Sequence, residues 1–316
     1  MTYKNSFKLL FSNFSLVGKV LVFLLINLAI IFGISYVLAL PLIDVLANNG
    51  WFVQCKEVYN NFLMSLNLFE VVESIGVLFT QFISILDANF SAIYINIILL
   101  FATIIILGSF LNGLYSLVIC NVLYYFMSDN VKYGFTSSLV STFYKNVKYN
   151  LLSLVTKLPI NLSIYVIVLY MLSFLSFNFA AAIVLLFLVI LTFLVLKSIK
   201  ISVFSGWAPA LVVFDRGIFN DINKAFKITN RRIFKVFVNA FFLSLTIFVL
   251  NVFSAVVTFG VSLLVTIPLS IVLINCFNMI SFYSNYGMRY YVDEFNVFVP
   301  RKLETTEMFK DIKYKI

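Results

Sequence analysis

The sequence predicts an all-α fold, that of a polytopic membrane protein with six transmembrane helices and amphipathic helices at its cytoplasmic surface. Hydrophobic residues make up 62% of the 316 residues and charged residues only 11%, whereas about 25% of the residues of a soluble domain are charged. The charged residues also leave four long uncharged windows, and the basic residues lie on one side of the spans that these windows define. Together these three observations predict a membrane fold.

The uncharged windows locate the spans, because a charged side chain at the bilayer centre is costly and about 20 apolar residues cross the hydrocarbon core. We assign one span to each of the first two windows. Each of the last two is too long for a single helix and has a break near its middle, so each holds two spans. The windows cover residues 20–43, 88–128, 158–196 and 236–288, and the breaks are Ser176–Asn178 and Thr258–Gly260.

The distribution of lysine and arginine predicts the orientation, because short cytoplasmic loops retain these residues. With the N-terminus inside, every basic residue except Lys56 lies in a cytoplasmic segment, which is 21 of the 22. We therefore predict a multi-pass protein of the plasma membrane with both termini in the cytoplasm. A cleaved signal peptide is the alternative interpretation of the first apolar run. That run is longer than the usual apolar region of about 7–15 residues, so we favour a retained helix.

A threefold internal repeat is the organisation that we predict within a single membrane domain, 1–316. In each copy a surface helix carries a phenylalanine and a base at similar offsets and then enters an apolar hairpin. Chance agreement of so loose a pattern is the alternative. The copies cover about 1–128, 129–214 and 215–295, followed by a cytoplasmic tail, 296–316. The matching residues are Ser6, Phe14 and Lys19, then Gly134, Phe143 and Lys148, then Gly217, Phe226 and Arg231.

An insertion at 44–90 distinguishes the first copy from the other two. It holds five carboxylates against one base, Lys56, and its apolar residues approximate a helical stripe. We predict one or two external helices that rest on the outer leaflet or cap the bundle. Scattered carboxylates of this kind usually form a solvated face, so we assign no metal site to them.

A basic segment, Gly217–Phe237, precedes the fifth span. Its apolar residues recur at spacings of three, four and seven, which places them on one helix face. Such a helix is typical of a segment lying in the lipid interface. A loop that packs against its own bundle is the alternative, and the segment can do both at once.

We predict that Asp215 caps this helix by accepting a backbone N–H near its positive end. The apolar residues are Phe219, Ile222, Phe226 and Ile233, and the predicted headgroup contacts are Lys224, Lys227, Arg231, Arg232 and Lys235.

A family resemblance appears in the stretch LVVFDRGIFNDINKAFKITNRRIFKVF, which begins at Leu211. An apolar run ends in an acidic turn, an amphipathic helix with a central Ala-Phe follows, and basic residues enter the next span. This order resembles the YciC-like bacterial membrane proteins and the membrane domain attached to some glycerophosphodiester phosphodiesterases. The resemblance implies a polytopic membrane fold and no particular reaction for this chain.

Several residue types and motifs that would indicate catalysis are absent from the sequence. There is no histidine, which removes Ser-His and Cys-His nucleophile pairs and histidine metal ligands. The glycines form no dinucleotide-binding or phosphate-binding loop motif. Cys55, Cys120 and Cys276 are scattered, and we expect the last two to be buried small hydrophobes. We therefore predict no enzymatic activity, no cofactor and no metal site.

The predicted function follows from these exclusions and from the charge. The net charge of +9 comes from bases at the span boundaries, which favours anionic lipid headgroups over nucleic acid as the partner. The leading hypothesis is a non-enzymatic scaffold or accessory factor in a membrane process, with a protein partner docking at the cytoplasmic helices. The alternative is a transport component for a neutral or amphipathic solute that works with a separate motor subunit.

Overall fold

The computed structural model describes residues 2–65, 68–174 and 179–299, and these are almost entirely helical. A π-helical segment, Thr103–Leu107, joins α5 to α6, and two short antiparallel strands, β1 (Tyr290–Tyr291) and β2 (Val297–Phe298), follow the last helix. The α-helices are α1 Thr2–Ser12, α2 Ser15–Asn48, α3 Trp51–Ser65, α4 Leu68–Ala88, α5 Phe90–Ala102, α6 Gly108–Asp129, α7 Phe135–Leu172, α8 Phe179–Phe204, α9 Trp207–Phe214, α10 Ile218–Asn230, α11 Ile233–Val257 and α12 Leu263–Tyr286.

Six helical segments of the described chain are long and apolar enough to cross a membrane, which confirms the predicted all-α polytopic class. The predicted break at Thr258–Gly260 is a turn in which Phe259 and Gly260 both have positive φ, at 50° and 88°. The predicted break at Ser176–Asn178 lies outside the described residues. The six segments are Ser15–Asn48, Phe90–Asp129, Phe135–Leu172, Ala182–Phe214, Ile233–Val257 and Leu263–Tyr286.

The chain forms two compact units, and the first consists of Met1–Leu25 and the described part of Asn112–Ile316. Its central helix is α12, on which α1, α9, α10 and α11 pack. Half of the membrane window of α12 is buried, a larger share than in any of the other five segments. Phe277 and Tyr283 of α12 lie in one core with Leu123 and Phe126 of α6, and all four are fully buried. The spans around α12 expose large apolar side chains, as a lipid-facing surface requires.

The second unit, Ile26–Leu111, holds the rest of α2 together with α3, α4, α5 and the π-helical segment. The indole N–H of Trp51 donates to the carbonyl oxygen of Leu78 at 3.2 Å, and its ring centroid lies 5.5 Å from that of Phe82, so α3 packs on α4. The described residues of the insertion are therefore mainly helical as predicted, and its external position stays a prediction. The π-helical segment was not predicted, because a π-bulge leaves the apolar composition of a span unchanged.

Asparagine side chains form hydrogen bonds between membrane helices. Asn27 Nδ2 donates to the carbonyl oxygen of Leu111 at 3.2 Å, and Asn251 Nδ2 donates to Ser270 Oγ at 3.1 Å. Ser116 Oγ donates to Asn275 Oδ1 at 3.0 Å, which joins α6 to α12. Lipid chains offer no hydrogen-bond partner, so each of these bonds satisfies a polar group within the protein. Such bonds contribute about 0.6 kcal/mol each, on average, to the stability of the packed helices.

Candidate membrane-contact site

The candidate site is α10 with the residues around it, and its start is fixed by two residues. Gly217 is the N-cap, with φ at 129° and ψ at 143°, a backbone conformation that favours glycine. Asp221 lies in the first turn and is buried, and its carboxylate accepts the backbone N–H of Arg216 at 3.2 Å. This also places a negative charge near the positive end of the helix. Together, the glycine and the buried carboxylate determine where α10 begins.

A face of small residues holds α10 against the rest of the first unit. Ala225 and Thr229 are buried, and both lie next to Gly206 in the connection between α8 and α9. A Cβ atom placed on Gly206 would lie 2.7 Å from Thr229 Oγ1 and 3.4 Å from Ala225 Cβ. Glycine at this position therefore permits the close approach of α10, which packs against its own bundle as the alternative interpretation proposed.

The predicted apolar face points away from the unit. Phe219 is 76% exposed and Phe226 is 48% exposed, while Ile222 is half-buried. The fourth predicted residue, Ile233, belongs to α11, because the helix breaks at the turn of Arg231 and Arg232. The continuous helix that we predicted to Phe237 is therefore two helices, and the exposed aromatic face of α10 is shorter than the sequence pattern indicated.

The five predicted headgroup contacts differ in their surroundings. Lys227, Arg231 and Lys235 are exposed, and Arg232 is half-buried. The ammonium group of Lys224 lies 3.8 Å from the ring centroid of Phe214 and 5.5 Å from that of Tyr286, which are cation–π distances. Lys224 thus links α10 to α9 and α12, whereas the other four bases are on or next to the outer side of the site.

Asp215 lies at a different place from the predicted cap. It is the C-cap of α9, with φ at 49° and ψ at 39°, and its carboxylate is 2.5 Å from the ammonium group of Lys145 on α7. The same ammonium group also donates to the carbonyl oxygen of Leu211. Asp215 therefore closes the end of α9, and the carboxylate that interacts with the start of α10 is that of Asp221.

A second basic cluster lies between α7 and α8 and was not identified as a site from the sequence. Lys157 of α7 lies beside Phe204 of α8, with 5.4 Å from its ammonium group to the ring centroid. Lys200 donates a hydrogen bond to Asn161 Oδ1, and Lys197 lies one turn from Lys200 on α8. In the sequence, Lys157 and Lys197 served only as the ends of the uncharged window 158–196. Because this window folds into a hairpin of two helices, its two ends must lie close together, and this could have identified the cluster.

No protein-family model, curated protein or solved structure matches this chain. Its class therefore rests on the fold and the site. It is an integral membrane protein of the all-α class, with six candidate spans and a basic amphipathic helix packed on one of its two units. The resemblance to the YciC-like proteins stays a prediction.

Proposed function

We propose that this protein is a non-enzymatic scaffold or accessory factor of a process at the plasma membrane, and that α10 is the surface through which it contacts the cytoplasmic leaflet. The observation that carries this proposal is the packing of α10. Its small-residue face, Ala225 and Thr229, is buried on the unit, while Phe219, Phe226 and Lys227 face outward. A helix fixed in this way presents aromatic and basic side chains to the same layer of the membrane.

The energetics of such a contact have two parts. Each base near an anionic surface contributes about 1 kcal/mol, and salt screens this part. Insertion of an aromatic side chain contributes on the order of 1.5–3 kcal/mol when it becomes fully buried, and salt has little effect on this part. Because Phe219 and Phe226 are exposed on the same helix as Lys227, α10 combines both parts. We propose headgroup contact for Lys227, Arg231, Arg232 and Lys235, with Lys224 contributing charge from its position over Phe214.

The polar side chains of the spans support a scaffold over the transport alternative. A path for a neutral solute needs polar groups that face a cavity. Three of the span asparagines, Asn27, Asn251 and Asn275, bond to neighbouring helices, where they stabilise packing. The transport alternative is tested by solute flux in proteoliposomes, and saturable flux that depends on these asparagines would replace the scaffold proposal.

The test of membrane contact uses the full-length protein in nanodiscs of phosphatidylcholine, with or without phosphatidylglycerol. Amide hydrogen exchange in Ile218–Asn230 is the measurement. We expect slower exchange in the anionic discs, and we expect the difference to shrink at about 1 M salt, where the screening length falls to about 3 Å. Replacing all five bases, Lys224, Lys227, Arg231, Arg232 and Lys235, with Gln should abolish the difference between the two lipids.

Aromatic variants test the salt-insensitive part of the contact, and one of them is a matched control outside α10. The double variant Phe219→Ala and Phe226→Ala should speed exchange of α10 in both lipids, because it removes the salt-insensitive part. Phe259→Ala, in the turn between α11 and α12 where the side chain is 98% exposed, should leave α10 unchanged. Equal exchange of α10 in neutral and anionic discs would contradict the proposed leaflet contact.

A further inference from the structure

The cluster of Lys157, Lys197 and Lys200 is a second basic site of the first unit, separate from α10. The three side chains come from two adjacent antiparallel helices, and all are partly buried. Lys157 lies opposite Phe204, and Asn161, one turn further along α7, lies opposite Lys200. This register places Lys157 and Lys200 on the facing sides of the α7–α8 hairpin, and Lys197 lies one turn before Lys200 on α8.

The partners of these ammonium groups are uncharged. Lys157 Nζ donates to the hydroxyl oxygen of Tyr149 at 3.3 Å, and Lys200 Nζ donates to Asn161 Oδ1. Lys197 Nζ lies 5.6 Å from the ring centroid of Phe193. In the described part of the chain, none of the three is within ion-pair distance of a carboxylate. By contrast, Lys132 and Lys145 pair with carboxylates at 2.6 and 2.5 Å.

Three partly buried cations without a counter-ion are unfavourable. Lys200 lies one turn from Lys197 on α8 and bonds to Asn161, one turn from Lys157 on α7, so these positive charges repel one another. Removing each ammonium group from bulk water adds a desolvation cost. Both costs are offset when an anion enters the site, because each cation then gains a charge-assisted hydrogen bond. The arrangement therefore favours occupation by an anion with several acceptor oxygens.

The position of the cluster in the chain indicates which anion. Lys157 and Lys197 border the uncharged window 158–196, whose two helices are each long and apolar enough to cross a membrane. From the ends of this window we infer that their ammonium groups lie where the hydrocarbon core meets the headgroup layer, the layer in which lipid phosphates are found. Lysine ammonium groups bind phosphate as point charges, and the Asn161 and Tyr149 side chains hold two of them in place.

We propose that Lys157, Lys197 and Lys200 form a discrete binding site for a phosphate group, carried either by an anionic lipid headgroup or by free inorganic phosphate. The site is on α7 and α8, so it does not depend on the contact of α10 with the leaflet. Whereas α10 offers a surface to many lipids, this cluster binds one phosphate group per chain.

The test uses full-length protein and two separate probes. In the first arm, inorganic phosphate is titrated in a neutral detergent against chloride at constant ionic strength, and the melting temperature is measured. In the second arm, native mass spectrometry counts the phosphatidylglycerol molecules retained by protein from mixed nanodiscs. Binding in the first arm identifies free phosphate as the ligand, and one tightly retained lipid in the second identifies the headgroup.

Variants assign the binding to the cluster. The triple variant Lys157→Gln, Lys197→Gln and Lys200→Gln should bind the probe at least about tenfold more weakly, because three charges near one phosphate are lost. The triple Lys→Arg variant keeps the charges and should retain binding. The matched control removes the same charge at exposed positions, Lys4→Gln, Lys8→Gln and Lys148→Gln, and should bind like the natural protein.

Two outcomes would overturn the proposal. One is that the cluster variant and the matched control bind each probe equally, and the other is that phosphate stabilises the protein no more than chloride while no phosphatidylglycerol molecule is tightly retained. If the triple Gln variant does not fold, Lys200→Gln alone is compared with Lys148→Gln by the same measurements. The variant in which all five bases in and after α10 are replaced by Gln should keep this phosphate binding. If the phosphate site is absent, the proposed leaflet contact of α10 is therefore unaffected.

Discussion

Gly206 is the single residue whose replacement should most directly disturb the site. A methyl group at Gly206 would approach Thr229 Oγ1 to 2.7 Å, so the Thr229 side chain or α10 itself must shift. We expect Gly206→Ala to lower the free energy of unfolding by about 1–3 kcal/mol, as overpacking does. Gly33→Ala is the control, because nothing lies within 4 Å of a Cβ at that helical position. That change should be neutral or stabilise by up to about 1 kcal/mol. Equal effects of the two changes, measured by thermal denaturation in detergent, would refute the close packing of α10.

Asn275 and Asn278 are two asparagines of α12 that differ in their hydrogen bonds. Asn275 Oδ1 accepts from Ser116 Oγ at 3.0 Å, whereas the buried Asn278 Oδ1 has no partner among the described residues. We expect Asn275→Leu to destabilise by about 1–2 kcal/mol, because it leaves Ser116 unpaired and replaces an interhelical bond. Asn278→Leu should be neutral or stabilising. Measured unfolding free energies in the opposite order would show that α6 and α12 are not joined through Asn275.

At the scale of the element, the start of α10 depends on Asp221 rather than on Asp215. Asp221→Ala removes the acceptor of the Arg216 N–H, and the loss of a hydrogen bond to a charged group costs about 1.5–3 kcal/mol. Hydrogen exchange in the first turns of α10 should therefore accelerate. Asp215→Asn removes an ion pair with a carboxylate that is 78% exposed, a class of interaction worth about 0–1 kcal/mol. If Asp215→Asn opens α10 more than Asp221→Ala does, the cap predicted from the sequence is correct.

The helix α10 also shows the limit of periodicity as a predictor. Spacing placed Phe219, Ile222 and Phe226 on one face, and the structure keeps them near one another. Spacing alone does not tell whether an apolar face meets protein or lipid, because both environments are apolar. The face that meets the protein is made of small residues, Ala225 and Thr229, whose pattern carries little hydrophobic signal.

At the scale of the whole molecule, the lysine and arginine distribution predicts a topology that can be measured. Reporter fusions after Asn130 and Asp215, both in turns between helices, should report a cytoplasmic location, as should a fusion after residue 300. A fusion near Cys55 should report the outside. The reason is that 21 of the 22 bases then lie inside. An external signal at Asp215 would exclude the order of six spans.

The absence of histidine from the sequence leads to a prediction about the purified protein as a whole. We expect no intrinsic hydrolase activity that depends on a bound metal, because the sequence has no histidine and its three cysteines are scattered. Elemental analysis and turnover with and without a chelator are the measurements. Stoichiometric zinc or iron, together with turnover that chelation abolishes, would be the contrary result.

The sequence by itself determined the class of this protein and the number of its candidate spans. Desolvation of charge is so costly in hydrocarbon that the uncharged windows indicate where the spans lie, although α7 and α8 extend well beyond the window 158–196. The turn at Thr258–Gly260 and the burial of Cys120 and Cys276 follow from the same local rules. The tertiary structure alone decided which side chains meet. Lys157 and Lys200 are 43 positions apart in the chain, and Gly206 is 23 from Thr229. Contacts at such separations depend on helix register and close packing, which composition and periodicity leave undetermined.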